Sequence, residues 1–362
     1  MLEGMLKNGL RKRIATLIGA FAVCGLALAG CATGGTSDTG AAQSSGSAEG
    51  KLKVVASTTQ VQDFVAQIAG DRVQLTGLLK PGASAHNFDP TPADLVALGE
   101  ADILFLNGVG LEEFLDSAIK SSGFHGKIVE AADAVDLEAA AEITAKSAAQ
   151  GEADHDGHAT EAEDHDHDHD HDHGGVNPHI WTAPKMARQM LDPIAEALSK
   201  ADPENREYYH ENATAYGEKL AALDSWIASE FAKVDPAKKR FVSSHNALLY
   251  YLDSYGIEFV GSVIPSFEDN SEPSAAEINE LVANIKKSGV QAIFFESSVS
   301  DRLSKTVANE ANVVLVTDPI YADAVGVEPP ANTYIGATIA NTENILQAWG
   351  YDPSPVPQEV TN

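Results

Sequence analysis

The stretch DPENREYYHENATAYGEKLAALDSWIASEFAKVDP, residues 202–236, predicts one long helix on which the rest of the fold depends. Asp202 is a suitable N-cap, and Pro203 and Glu204 are favourable residues for a first helical turn. Apolar residues then recur every three or four positions: Tyr209, Ala213, Tyr216, Leu220, Leu223, Ile227 and Phe231. About 30 residues of helix span roughly 45 Å at ~1.5 Å per residue, longer than one lobe requires. We therefore predict a rigid helix joining two lobes; a long surface helix of a single domain is the alternative.

Short β-rich runs alternate with helical segments on both sides of this helix. Before it, strands are predicted at residues 52–57, 73–79, 103–106 and 127–130, and helices at 60–69, 92–100, 111–121 and 184–199. After it, strands at 240–243, 258–263, 291–296 and 313–317 alternate with helices at 246–255, 274–288, 302–311 and 333–349. This alternation is typical of parallel sheets with flanking helices. The predicted fold is α/β, with two lobes of parallel sheet joined by the long helix.

Length and charge are consistent with this organisation. The 362 residues accommodate two ordinary domains, and 44% hydrophobic residues is a globular content. We place an N-terminal lobe at residues 51–183, a linking helical region at 184–235 and a C-terminal lobe at 236–362. The net charge of −29 repels nucleic acid and attracts cations, so a nucleic-acid partner is excluded.

Residues 1–30 have the features of a lipoprotein signal peptide. Basic residues end at Arg13, an apolar run covers residues 14–28, and Cys31 follows Leu-Ala-Gly in a lipobox-like sequence. The run is too short to span a membrane comfortably, and a Gly/Ser/Thr-rich tether follows at residues 31–50. The only cysteines are Cys24 and Cys31, so the mature chain has no disulfide. We predict lipidation of Cys31 and an extracytoplasmic location, anchored by lipid to the cell membrane.

An insertion at about residues 137–175 contains an acidic, histidine-rich segment, here called the His/Asp tract (residues 154–173). Its seven histidines are His155, His158, His165, His167, His169, His171 and His173. Imidazole and carboxylate groups bind zinc, and a segment so polar cannot bury itself in a core. A mobile ligand set must be ordered at every binding event, which lowers its affinity. We interpret the tract as an accessory metal-attracting loop; a solvating acidic linker is the alternative.

The five histidines outside the tract include the candidates for a better-built site. His86 and His245 follow predicted strands, as does Asp318, and ligands of open α/β sheets bind beyond the carboxyl ends of strands. His179 lies in a loop whose Ile180-Trp181 pair should anchor it in the core. Each residue singly could be a structural polar group, but together His86, His179, His245 and Asp318 form a closed tetrahedral set suited to Zn²⁺. We interpret His125 and His210 as structural.

Five ordered motifs carry a resemblance to a known family. They are residues 84–92 (SAHNFDPTP), 177–181 (NPHIW), 243–247 (SSHNA), 272–274 (EPS) and 317–319 (TDP). Across residues 51–349 the chain resembles the zinc/manganese solute-binding lipoproteins of ABC importers, the ZnuA/TroA-like group of cluster A-I. The resemblance implies a metal held between the lobes by His86, His179, His245 and Asp318, and delivery to an ABC permease membrane subunit.

Several details bear on the metal and on the second motif. Manganese-selective members place a carboxylate where this chain has His245, and a His-rich acidic loop is similar to that of zinc members. Two departures are Asn177, where the family usually has Asp, and a tract unusually close to His179. Glu296 resembles a family strand end; we expect it to hold a ligating imidazole in its tautomer, with a surface charge as the alternative.

The sequence thus favours extracytoplasmic zinc capture by a lipid-anchored, monomeric protein that is not an enzyme. A zinc hydrolase is disfavoured because no His-Glu-x-x-His motif is present and no cysteine nucleophile survives maturation. A manganese- or iron-binding protein of the same transport class remains open. So does a metal-buffering or cell-adhesive surface lipoprotein in which the tract is the main functional element.

Overall fold

The computed structural model describes residues 50–86, 88–152, 175–266 and 271–361, with no side-chain description at 148–152. The expected signal peptide, Cys31, nearly all of the tether and the seven histidines of the His/Asp tract lie outside these residues. Across the described segments, no helix combines the length and the apolar character needed to cross a membrane.

The first half of the fold is built on one four-stranded parallel sheet in the order β2-β1-β3-β4. Its strands are β1 (Leu52–Ala56), β2 (Val73–Gly77), β3 (Ile103–Leu106) and β4 (Lys127–Glu130). The helices of this half are α1 (Thr59–Ala69), α2 (Pro92–Glu100), α3 (Asp116–Ser122), α4 (Leu137–Glu152), α5 (Pro184–Gln189) and α6 (Leu191–Ala201). A capping box between Thr91 and Asp94 begins α2, where Pro92 is well placed at the first position. The strands agree with prediction to within two residues.

The long helix α7 covers Arg206–Phe231 and follows a 3₁₀ turn at Pro203–Asn205. Its first half packs Tyr209, Tyr216 and Leu220 into the core around the four-stranded sheet. Its second half packs Leu223, Trp226, Ile227 and Phe231 into a separate core. The helix therefore contributes to both cores. Its 26 residues span about 39 Å at ~1.5 Å per residue.

The second half contains two short parallel sheets, β5-β6 and β7-β8. The strands are β5 (Arg240–Ser243), β6 (Glu258–Ser262), β7 (Ala292–Ile293) and β8 (Val314–Leu315), and Phe294 N donates to Val242 O at 2.9 Å between the sheets. The helices are α8 (Leu249–Ser254), α9 (Ala275–Ser288), α10 (Arg302–Ala311), α11 (Tyr334–Ala348) and α12 (Gln358–Thr361). Parallel sheets with flanking helices on both sides of α7 confirm the predicted α/β fold.

Several predicted elements are shorter than expected: β7 and β8 have two residues each where the sequence predicts 291–296 and 313–317, and α3 begins at Asp116 where the sequence predicts residue 111. Two further differences concern residues 184–199 and the segment from residue 137. The helix expected at residues 184–199 is two helices that meet at Met190, because Pro193 has no N–H to bond to Gln189 O. The segment treated as the start of an insertion, from residue 137, forms α4. Ala140 lies in the first core, Thr144 is buried, and Lys146 pairs with Asp253 of α8 at 3.1 Å. Helix α4 is thus packed structure rather than a loop.

Candidate metal site

Three imidazoles converge from separate loops. His86 follows β2, His245 follows β5, and His179 precedes a 3₁₀ turn at Ile180–Thr182. The Nε2 atom of His179 lies 3.1 Å from that of His86 and 3.4 Å from that of His245. His179 and His245 are fully buried, whereas His86 is half-buried. The structure therefore brings together the three histidines that the sequence singled out.

The fourth donor at this point is Asp323, and Asp318 is not part of the group. Asp323 Oδ1 lies 3.3 Å from His179 Nε2 and 3.4 Å from His245 Nε2. One ligand atom from each of His86, His179, His245 and Asp323 falls within 4.8 Å of the others. Asp318 is exposed in the bend after β8. The expectation of Asp318 is corrected because the chain continues past Pro319, pairs Ile320 with Glu296 in an isolated bridge, and only then reaches the site.

Asp323 is positioned by contacts with the first half of the fold. The carbonyl of Ala322 accepts hydrogen bonds from Gln60 Nε2 and Trp181 Nε1, both at 2.9 Å. Val325 N donates to Thr59 Oγ1 at 3.0 Å. The sequence does contain a signal for Asp323, which lies between Ala322 and Ala324 in an otherwise apolar run. A carboxylate buried with such a run is costly unless it has a partner, and this indicates a functional role.

Two buried side chains orient the outer nitrogens of the histidines. Glu296 Oε2 lies 2.6 Å from His245 Nδ1, and Glu296 Oε1 accepts a hydrogen bond from His245 N at 2.9 Å. Asn177 Oδ1 lies 2.7 Å from His179 Nδ1. Because Nδ1 of each ring faces an oxygen, Nε2 faces the centre of the group. Glu296 is 1% exposed, so it is not a surface charge.

Burial and neighbouring charges shift the pKa values of the three buried donors' ionisable groups in opposite directions. Burial lowers the pKa of His179 to about 4, so its ring is neutral at neutral pH. Burial would also lower the pKa of His245, but the carboxylates of Glu296 and Asp323 raise it well above its ordinary value. Burial would raise the pKa of Asp323, but His245 and His179 hold it well below its usual range. The site thus pairs an ionised carboxylate with a protonated imidazole.

The donor set suits a metal ion. Asp323 is fully buried, and its Oδ1 faces the Nε2 atoms of His179 and His245 at 3.3 and 3.4 Å. A buried anion of this kind normally pairs with a cation or binds a metal. Neutral imidazole nitrogen and carboxylate oxygen are ligands of zinc and of other divalent transition metals.

The remaining histidines lie elsewhere or outside the described residues. His125 is exposed after α3. His210, on α7, lies with its Nε2 3.9 Å from Glu196 Oε2. Neither belongs to the group of four donors found among the described residues. The role of the His/Asp tract therefore stays a prediction.

The buried donor set is that of a metal-binding protein, and the comparisons with known proteins identify the class as substrate-binding proteins of ABC transporters. The chain matches the family described as zinc-uptake complex component A, periplasmic, over residues 54–348, and it belongs to that family. Members of this family are binding proteins, so the protein is not an enzyme.

Relatives within this class are named for different metals. The chain is 33% identical to the high-affinity zinc uptake system protein ZnuA of Bacillus subtilis, covering 80% of this chain and 83% of that protein. It is 29% identical to the manganese-binding lipoprotein MntA of Halalkalibacterium halodurans, covering 90% and 95%. Among solved structures, the periplasmic zinc-binding protein TroA of Treponema pallidum matches with a TM-score of 0.70 at 23% identity, covering 83% and 99%, a likeness of fold.

Proposed function

We propose that this protein captures Zn²⁺ outside the cytoplasm and delivers it to the permease of an ABC importer. The observation that carries the proposal is the buried convergence of three imidazoles and one carboxylate. A tetrahedral site with zinc–ligand bonds of about 2.0–2.1 Å has edges of about 3.3–3.4 Å. Four of the six edges here measure 3.1, 3.4, 3.3 and 3.4 Å.

The ligand chemistry supports zinc over manganese or iron. Three neutral nitrogens with one carboxylate suit a four-coordinate ion of borderline softness. Manganese prefers carboxylate, carbonyl and water oxygens at a higher coordination number. His245 supplies nitrogen at a position where extra oxygen would be needed for a harder ion. In this proposal His86, His179, His245 and Asp323 bind the ion, while Glu296 fixes the ring of His245.

We propose that residues 1–30 are removed, that Cys31 carries the lipid, and that residues 31–50 tether a monomer to the membrane. The N-terminal lobe is then residues 51–183 and the C-terminal lobe 236–362, linked through 184–235. Relatives named as substrate-binding lipoproteins of metal ABC transporters support this location.

The His/Asp tract is proposed as an accessory that raises the local metal concentration near the site. The test is competitive zinc and manganese titration of the protein lacking residues 154–173, beside the full chain. The expected result is one tight zinc site in both proteins, weaker manganese binding, and fewer total zinc ions bound after deletion. Loss of all tight binding on deletion would overturn the division between site and tract.

Manganese is the second candidate, because the relative named as manganese-binding covers 90% of this chain. Equal or tighter manganese binding in the same competition would favour it over zinc.

A metal-buffering or adhesive lipoprotein is a further alternative, favoured by the seven histidines of the tract. The double variant His86→Ala, His245→Ala, which keeps the tract intact, distinguishes metal buffering by the tract from metal capture by the buried site. Unchanged tight binding would support buffering, whereas loss of tight binding supports the buried site.

A further inference from the structure

Asn177 is buried, and four of its polar groups make hydrogen bonds. Its backbone N donates to Thr144 Oγ1 at 3.1 Å, and its carbonyl accepts from Tyr250 Oη at 2.7 Å. Its side-chain Oδ1 accepts from His179 N at 3.0 Å and lies 2.7 Å from His179 Nδ1. Its Nδ2 donates to Asn246 O at 2.7 Å. These hydrogen bonds, made by both the backbone and the side chain of one buried residue, fix the position of Asn177 closely.

The amide can face only one way. Asn246 O is an acceptor, so the group 2.7 Å from it must be the donating Nδ2. The oxygen Oδ1 is then turned to His179, and Nδ1 of that ring must carry the proton. The other nitrogen, Nε2, is left with a free lone pair facing the centre of the site. Asn177 thereby fixes the tautomer that a metal needs.

The same amide also connects two ligand segments. Oδ1 bonds to His179 in the loop before α5, while Nδ2 bonds to the residue directly after His245, at the end of β5. These segments are 66 residues apart in sequence, yet their Nε2 atoms lie 3.4 Å from each other. A carboxylate at position 177 would keep the acceptor for His179 but place an anion against the carbonyl of Asn246.

We propose that Asn177 is a positioning residue for metal binding: it imposes the Nδ1–H tautomer on His179 and ties that histidine to the His245 segment. The inference rests on the proposed function of this site. Removing a side chain that orients a metal ligand typically lowers metal affinity about 10–100-fold. Asn177→Leu, which loses all three side-chain hydrogen bonds, should fall in this range. Asn177→Asp, which keeps only the acceptor, should lose less than about 10-fold.

The test combines zinc affinity with the tautomer of His179. Affinity is measured by competition with a chromophoric chelator, and the tautomer by ¹⁵N NMR of the imidazoles in metal-free protein. Asn177→Asp should keep the Nδ1–H tautomer, whereas Asn177→Leu should give a mixture. Asn212→Leu is the matched control, because its amide also donates to a backbone carbonyl, Ile68 O at 3.0 Å, away from the site. It should bind zinc as the natural protein does.

The outcomes are separable. Natural affinity and tautomer in Asn177→Leu would overturn the proposal. If Asn177→Asp binds as tightly as the natural protein, the tie to Asn246 has no role and that part is overturned. If Asn177→Asp loses as much zinc affinity as Asn177→Leu while His179 keeps its Nδ1–H tautomer, the proposed role of Oδ1 as an acceptor for His179 is overturned. Absence of tight zinc binding in the natural protein would instead refute the proposed function, while the NMR measurement still decides the tautomer assignment.

Discussion

Among single residues, the buried carboxylate of Asp323 is the one acidic donor of the proposed ligand set. Asp323 Oδ1 lies within 3.4 Å of two imidazoles, whereas Asp318 is exposed in a bend. We expect Asp323→Asn to lose more zinc affinity than the ~10–100-fold typical of removing an orienting partner, because the neutral amide removes the ligand charge. Asp318→Asn is the matched control and should bind normally. Zinc competition titrations measure both; the reverse ranking would restore Asp318 as the ligand.

Proton release provides a second test at this scale. The carboxylates of Glu296 and Asp323 raise the pKa of His245 well above its ordinary value, so the metal-free site carries a proton at pH 7. A metal needs the neutral ring, so binding should release about one proton and affinity should fall as pH decreases. Calorimetry in buffers of different ionisation enthalpy counts the protons.

Glu296→Gln is the control for this count, because removing one negative charge lowers the pKa of His245. The variant should release fewer protons at pH 7. Equal release from both proteins would contradict the assignment of the proton to His245.

At the scale of elements, a buried carboxylate joins the ends of β1 and β3. Glu112 accepts hydrogen bonds from Ser57 Oγ at 2.6 Å, Asn107 N at 2.6 Å and Gly108 N at 3.1 Å. Burial raises its pKa from 4.5 to about 7. Between these values the folded state holds more protons than the unfolded state, so the free energy of unfolding should decrease as pH rises through this window.

The expected change is on the order of 3 kcal/mol between pH 4.5 and pH 7. Chelator-treated protein, unfolded in urea at several pH values, measures it without a contribution from metal. Glu112→Gln should remove that part of the pH dependence. An identical pH profile in the variant would show that Glu112 does not titrate in this range.

Helix α7 links two cores and should make their unfolding cooperative. Leu220 lies in the first core and Ile227 in the second, and both are fully buried. We expect Leu220→Ala and Ile227→Ala each to lower the free energy of unfolding by about 2–5 kcal/mol. Both should shift one common transition in denaturant. The exposed Glu218→Ala should stay within about 0.5 kcal/mol, and separate transitions for the two core variants would contradict a shared helix.

Much of this organisation is local enough to be predicted from sequence. The apolar spacing of α7 and the strand alternation define the fold. His245 lies two residues after β5, and His86 lies in the loop that follows β2. Asp323 is different, because its position depends on the hydrogen bond from Gln60 to the neighbouring Ala322. Those two residues are 262 positions apart in the sequence. Contacts at that separation leave no periodic pattern. Asp318 lies outside the group because the chain bends at residues 317–318 and runs on through Ile320 before it reaches the site.

At the scale of the whole molecule, the described residues between Gly50 and Thr361 belong to one compact unit, so a bound metal should stabilise both halves together. Free zinc at about 100 times its dissociation constant should add about 2.7 kcal/mol to the free energy of unfolding. A thermal scan after chelation and zinc readdition measures the change. The double variant His86→Ala, His245→Ala should show no zinc-dependent shift. A shift that persists in this variant would assign the stabilisation to ions bound elsewhere.

The four donors are unequally buried, and this bears on how metal ions exchange with solvent. His179, His245 and Asp323 are completely enclosed, and His86 alone reaches solvent. We therefore expect an ion to enter and leave the site past His86, the one donor of the four that solvent reaches.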